Sequence, residues 1–232
     1  MKISEIENIK FEPKTVKYKK NPLRGASLEK KNIEKMGQGI TSYVISKKNK
    51  PHEVKRLTYS SRHPAEDAYL AYLNLIIQNE GNPFFPKVYS LKVLRTKKDD
   101  YFYYIEMEKL HPLDTLNWKQ LSALIEQNTG LSVSKYVNLK DILKKFPYIE
   151  DKKYLNDVVK SDILNTFVSS MRQFLGGDNN VGPFTESTKK ALLQVRQMLE
   201  THDFLALDLH TGNMMYRNTP YGPQLVMTDP VV

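Results

Sequence analysis

Two short segments hold the residue types best suited to chemistry. Asp208-Leu209-His210-Thr211-Gly212-Asn213 places an Asp and an Asn five apart between apolar runs, and Thr228-Asp229-Pro230 adds a second Asp 16 residues after Asn213. An Asp, an Asn and a second Asp brought together supply oxygen ligands for Mg²⁺ and a carboxylate able to accept a hydroxyl proton. Phosphoryl transfer uses both. A cation neutralises phosphate charge, and a base orients the attacking hydroxyl. Taken singly, each segment also fits an Asx-type turn at the end of a strand. Their order and spacing give the pair its weight. His210 lies inside the first segment, but the five His show no zinc-like spacing and Mg²⁺ favours oxygen, so His210 reads as a residue that shapes the loop.

Two further features fit nucleotide chemistry. Gly37-x-Gly39-x-x-Ser42-x-Val44 is a glycine turn between two strands, where backbone amides can approach phosphate oxygens. By itself it is also an ordinary hairpin turn, and Ser42 stands where the kinase loop has its third glycine. Lys55 lies in Glu53-Val54-Lys55-Arg56-Leu57, and strand alternation puts it on the side opposite Val54. A lysine there can hold α/β-phosphates if a carboxylate from the next helix fixes it. Glu66 and Asp67 are the candidates, with Glu66 favoured. The same lysine fits one more solvated cation in a Lys-rich chain.

The elements needed to carry these residues follow from the patterning. Residues 1–30 are Lys-rich and weakly patterned and read as a basic extension. Asn32 to Tyr59 reads as β, with Met36 to Gly39 as a turn and strands at Thr41–Ile45 and His52–Leu57. Pro64 opens a helix that Gly81 ends. Val88–Val93 and Tyr101–Met107 complete five strands. Past His111-Pro112 the pattern is helical, at Trp118–Gln127, Leu139–Phe146, Tyr154–Leu175 and Thr185–Thr201. Phe204–Leu207 and Leu225–Met227 supply a small hairpin. The expected fold class is α+β in two lobes: a β-rich lobe with one helix over residues 31–110, then a mostly helical, shortened lobe over residues 111–232.

Composition excludes several classes. The 232 residues contain no Cys, so disulfides, Cys-ligated metals and a Cys nucleophile are out. No run of about 18 apolar residues exists to span a membrane. The net charge is +9, and the first 35 residues carry ten Lys/Arg against five Glu, or +5. Such charge favours acidic partners. A solvated basic surface is the preferred reading over nucleic-acid binding.

The order is glycine loop, strand Lys, helix Glu, hydrophobic strands, connector, helices, base loop and metal Asp, which is the order of the protein-kinase fold. Asp208-Leu209-His210-x-Gly212-Asn213 is similar to the base loop of aminoglycoside phosphotransferases. More closely, the chain resembles the early Ser/Thr protein kinases of T-seven-type bacteriophages. The shared features are Gly37-x-Gly39 with Ser42, Glu66-Asp67, Ala71-Tyr72, Pro83, Pro86-x-Val88-Tyr89, Asp208-x-His210-x-Gly212-Asn213-x-Met215 and Thr228-Asp229-Pro230-Val231. The resemblance implies an ATP- and Mg²⁺-dependent enzyme in the cytoplasm of an infected bacterium. Its substrates would be host proteins, including RNA polymerase and ribonucleases. It makes Asp208 the catalytic base, Asn213 and Asp229 the metal ligands, Lys55 the phosphate anchor and Glu66 its partner. Gly37, Gly39, Ser42 and Val44 would line the phosphates, and the Ile105–Glu108 stretch, with Glu106 and Glu108, would meet the adenine. Only three residues follow Asp229, so the expectation is either a fragment or a minimal kinase whose substrate platform comes from residues 114–200. Two other readings stand beside this one: a small-molecule phosphotransferase of the aminoglycoside-kinase type, and a non-catalytic kinase-like binder of a host protein.

Overall fold

A computed structural model of the protein describes residues 14–15, 33–38, 42–47, 50–95 and 100–232. It divides into two compact units, Met1–Glu80 with Pro86–Lys109, and Gly81–Phe85 with Leu110–Val232. The fold is α+β, with an antiparallel sheet and one helix in the first unit and mostly helix in the second. The element order is that expected of a protein-kinase-like fold.

The sheet of the first unit has the strand order β1-β5-β6-β4-β3-β2. Its strands are β1 (Lys14–Thr15), β2 (Ile33–Gln38), β3 (Ser42–Lys47), β4 (Lys50–Ser60), β5 (Val88–Arg95) and β6 (Tyr101–Glu108). The five expected strands are β2 to β6. The sixth, β1, comes from the basic extension and runs parallel to β5 through Lys14 and Leu94. Gly37 pairs with Val44 inside β2, beside a bulge, instead of sitting in a turn. Gly39 lies outside the described residues.

Strand β4 shows why alternation matters. Val54, Thr58 and Ser60 are buried, and Arg56 is half-buried like Lys55, Leu57 and Tyr59; the three buried residues share one face of the strand, the covered side. Helix α1 (Ala68–Gln78) supplies that cover. The planar end of Arg56 lies 3.9 Å from the centre of the Tyr69 ring. Burial and the nearby Asp67 charge push the Tyr103 hydroxyl pKa up from its ordinary value. The helix does not begin at Pro64. Residues Pro64–Glu66 form a 3₁₀ turn, Asp67 is extended, and its carboxylate caps α1 by accepting from Leu70 N at 2.9 Å. Glu66 is therefore an exposed residue of the turn, not part of the helix.

In the second unit, α2 (Trp118–Thr129) opens with a reciprocal capping box between Asn117 and Gln120 and closes at Gly130 in the left-handed conformation, φ 71°. It packs against the strand Gly222–Met227 of the hairpin, and its Leu121, Leu124 and Ile125 are fully buried. Each such side chain contributes about 1.5–3 kcal/mol of apolar burial. Helix α3 (Val133–Tyr136) is a short turn without a sequence-based expectation, and α4 (Leu139–Lys144) stops two residues short of Phe146. Helix α5 (Lys152–Leu175) starts earlier than Tyr154 because the Asp151 carboxylate caps Lys153 and Tyr154. It buries Ile163, Phe167, Met171 and Phe174 beside α6 (Glu186–Thr201), the hydrophobic stripe that its sequence shows.

The hairpin is β8 (Met214–Thr219) with β9 (Gly222–Met227), joined at Pro220-Tyr221, and β7 (His111–Pro112) adds a third strand. The Phe204–Leu207 run is not one of its strands. It makes a single bridge, Leu207 to Val231, with Ala206 and Val232 exchanging backbone bonds. Residues 81–85 belong with this unit. Phe84 O accepts from Met227 N at 2.9 Å, Phe85 O accepts from Arg217 at 2.5 Å, and Asn82 reaches Gln194 at 2.7 Å.

Candidate active site

The polar loop of the second unit is built from its backbone outward. Residues Thr211–Asn213 form a 3₁₀ turn capped by His210, whose Nδ1 accepts from Gly212 N at 3.0 Å. That bond uses Nδ1 as an acceptor. Nε2 stands 3.9 Å from Asp208 Oδ2, near but beyond hydrogen-bond range. His210 thus shapes the loop, as the sequence reading has it. A Cβ at Gly212 would stand 2.8 Å from His210 Cε1, so any other residue there displaces the His210 ring.

The turn brings two of the expected residues together. Asn213 Nδ2 donates to Asp208 O at 2.6 Å and to Asp208 Oδ2 at 3.1 Å. Asp208 is held yet open, with 47% of its side chain exposed. Asp229 is set by its neighbours. Thr228 donates through both N and Oγ1 to Asn213 O, each at 2.9 Å, and Pro230 O accepts from Asp208 N at 2.9 Å. Asp229 therefore sits between two residues that are each bonded to the loop carrying Asp208 and Asn213. Thr228 and Pro230 carry this positioning; the sequence marks them as parts of the Thr228-Asp229-Pro230 segment without giving either a role of its own.

A cavity of about 450 Å³ opens in the same unit, and its lining includes Thr211, Gly212, Leu116, Asp114, Asp157 and Lys160. Asp157 is also paired with Lys160 at 3.0 Å. The volume is in the range of small-ligand sites, which run from about 300 to 1,000 Å³.

The expected residues of the first unit are arranged differently from expectation. Lys55 does not pair with Glu66. Its Nζ donates to Glu106 Oε1, directly across the β4–β6 register, and to Tyr104 OH at 2.6 Å. The physical reason is strand parity: Lys55 points away from the side that α1 covers, so a residue at the start of that helix cannot reach it. Burial alone would lower the Lys55 pKa, but the hydrogen bonds to Glu106 and Tyr104 outweigh it and leave it raised. The Lys55 hydrogen bond holds the Glu106 carboxyl below its ordinary range. Glu106 is thus a partner of Lys55. Glu108 Oε1 accepts from Lys87 N at 2.7 Å and ties the entry of β5 to the end of β6. Ser42 and Val44 are half-buried in β3, opposite Thr58 and Arg56.

Hard oxygen donors are what Mg²⁺ takes, commonly one or two carboxylates completed by phosphate and water. Asn213 and Asp229 fit that demand. With the Asn213 Nδ2 turned to Asp208, its Oδ1 is the donor atom it offers a cation. Among the described residues no group of three His, Asp or Glu forms a metal cluster, and none of the described helices is long and apolar enough to cross a membrane.

No family model matches the chain, and no curated protein matches it. Among solved structures it is similar to the GDP and kanamycin complex of APH(2")-IIia, an aminoglycoside phosphotransferase, at 14% identity and a TM-score of 0.35. The match covers 85% of this chain and 66% of that one, so the chain spans just under two thirds of that structure's length.

Proposed function

We propose that the protein is an ATP- and Mg²⁺-dependent phosphotransferase that acts on Ser/Thr hydroxyls of proteins. The observation that carries this reading is the hydrogen-bonded Asp208–Asn213 pair with Asp229 tethered beside it through Thr228 and Pro230. In this reading Asp208 accepts the proton of the acceptor hydroxyl. The hydroxyl oxygen forms the new bond to the γ-phosphorus, the β–γ bridging P–O bond breaks, and its electron pair leaves on ADP. Asn213 orients the Asp208 carboxylate by donating to it, and Asn213 and Asp229 would hold the metal. Bound Mg²⁺ would neutralise charge on the phosphates. The sequence resemblance supports bacterial host proteins of transcription and RNA processing as acceptors. The cavity beside Thr211 favours a second reading, a small-molecule phosphotransferase, because its volume suits a small acceptor and its lining mixes Asp114 with the Asp157–Lys160 pair.

The test is transfer of labelled γ-phosphate from ATP·Mg²⁺ to proteins of a bacterial lysate. Label that disappears with Asp208→Asn supports the protein kinase. A folded protein that labels nothing in the lysate, but turns over ATP with an amino sugar, overturns it in favour of the second reading.

A further inference from the structure

The cavity beside Thr211 is lined by the second unit alone. Asp157, Lys160, Ser161 and Leu164 of α5 form one of its walls. They stand at i, i+3, i+4 and i+7, which is the spacing of one helical face. The stripe that α5 gives to the core, Ile163, Phe167, Met171 and Phe174, is a different set of residues. Helix α5 thus turns a second set of side chains to an open space.

The charges in that wall are tied down. Lys160 Nζ lies 3.0 Å from Asp157 Oδ1 and donates to Leu116 O at 3.4 Å, and only 19% of the lysine side chain is exposed. Cation and anion offset each other, so neither is left to draw in a charged group. Asp114 is the remaining charge of the lining, and it is exposed to water. What is left inside is apolar. Leu116, Leu121, Leu164 and Met214 are buried and still line the space. Apolar surface facing water is a driving force for whatever apolar group can cover it. Met214 is joined there by Met215, and the unbranched thioether side chain adapts to different shapes.

The place of the cavity says what could cover it. Thr211 and Gly212 belong to the turn that carries Asn213, and Thr211 is three residues from Asp208. Three residues of chain span at most about 11 Å. An extended peptide advances about 3.3 Å per residue. A side chain about three positions from a hydroxyl held at Asp208 therefore reaches the cavity.

We infer that the cavity takes an apolar side chain of the acceptor protein, a Leu, Met or Phe about three residues or fewer from the phosphorylated Ser or Thr. The inference rests on the phosphoryl-transfer reading above and names the acceptor sequence which that site selects. A small molecule of the second reading would fill the same space, and the test separates the two.

The test uses the full chain with labelled ATP·Mg²⁺. The acceptors are Ser peptides of alanine and glycine that carry Leu, Lys or Ala at each flanking position in turn. Leu at one or two positions near the Ser is expected to raise kcat/KM about ten- to 100-fold over Ala. Ser161 is exposed, so Ser161→Trp fills the cavity while sparing the core, and melting curves check that it folds. In that variant the ratio of Leu to Ala peptide should fall to about two or less, whereas Ser161→Ala should keep it. A ratio that stays at the wild-type value in Ser161→Trp overturns the assignment. So does a preference for Lys that Asp114→Ala abolishes, since the pocket would then read charge. Peptides labelled without any apolar preference overturn the pocket and leave the transfer reading standing. Turnover of an amino sugar that weakens in Ser161→Trp, with no label on any peptide or lysate protein, gives the cavity to the small-molecule reading. A folded wild type that labels no acceptor of either kind removes the transfer reading and the pocket with it.

Discussion

Replacing Gly212 with alanine separates the stability of the Asp208–Asn213 loop from the function proposed for it. Gly212 is outside the left-handed region, so backbone strain is not the issue. The added methyl would meet His210 Cε1 at 2.8 Å and Nδ1 at 3.0 Å, and one of the two must move. The His210 side chain is 56% exposed, so the ring can swing into solvent at little cost. What is then lost is the Gly212 N–H bond to Nδ1. An exposed bond of this kind contributes about 0.5–1 kcal/mol, which for a chain of this size lowers Tm by about 2 °C. Function is more sensitive. The same turn aims Asn213 at Asp208, and a displacement of about 1 Å in a positioned group can cost about 100-fold in rate. Gly212→Ala is therefore expected to melt close to the wild type while γ-phosphate transfer falls by about one to two orders of magnitude.

The control is a cycle with His210→Ala. Without the ring, the methyl at 212 meets nothing at that point, and both single variants remove the same bond. The double variant should be no slower than the slower single one. Two results would refute the reasoning. One is wild-type transfer by Gly212→Ala. The other is losses that multiply in the double variant, which would mean that glycine and histidine act separately.

Other consequences are equally direct. Thr228→Val removes one of two bonds to Asn213 O while keeping the side chain's shape; a stability loss of about 1 kcal/mol with a larger fractional loss of transfer is expected, measured by melting and by label incorporation. Lys55→Gln and Glu106→Gln should couple by about 1 kcal/mol in a double-mutant cycle, as fits a partly buried pair. Glu106 titrates below its ordinary value, so its share is present above about pH 4.3 and is lost as pH falls through the lower folded value. Lys55 titrates above its ordinary value, so its share is present below about pH 10.4 and is lost as pH rises through the folded value. The measured coupling should be flat from about pH 5 to 10 and shrink outside; coupling that peaks inside that window would contradict the pairing. Asn128 is buried, donates to Leu124 O at 2.7 Å and accepts from Thr188 at 3.2 Å, joining α2 to α6. Asn128→Ala should cost about 1–2 kcal/mol in chemical denaturation.

How far the sequence could be read depended on whether the controlling interaction was local. The stripe of α5 and the alternation of β4 are written in neighbouring residues, and the structure contains both. The shape of the Asp208–Asn213 loop is legible for the same reason, because its hydrogen bonds join Asp208, His210, Gly212 and Asn213 within six residues. The hairpin lies one element later than the apolar runs suggest. Phe204–Leu207 is as apolar as a strand, and hydrophobicity alone cannot say that its partner is the short stretch around Val231 and Val232. The better signal was the turn chemistry of Thr219-Pro220-Tyr221-Gly222, where Gly222 takes φ 115°. Lys55 shows the limit more sharply. Alternation correctly separates it from Val54, yet no local pattern states which side the helix covers. That is decided by Tyr69 meeting Arg56 and by Asp67 ending a 3₁₀ turn before α1 begins. With adjacent cations at 55 and 56, one step of register exchanges their environments completely. A lysine in a familiar position is therefore weaker evidence of role than the row of side chains in which it stands.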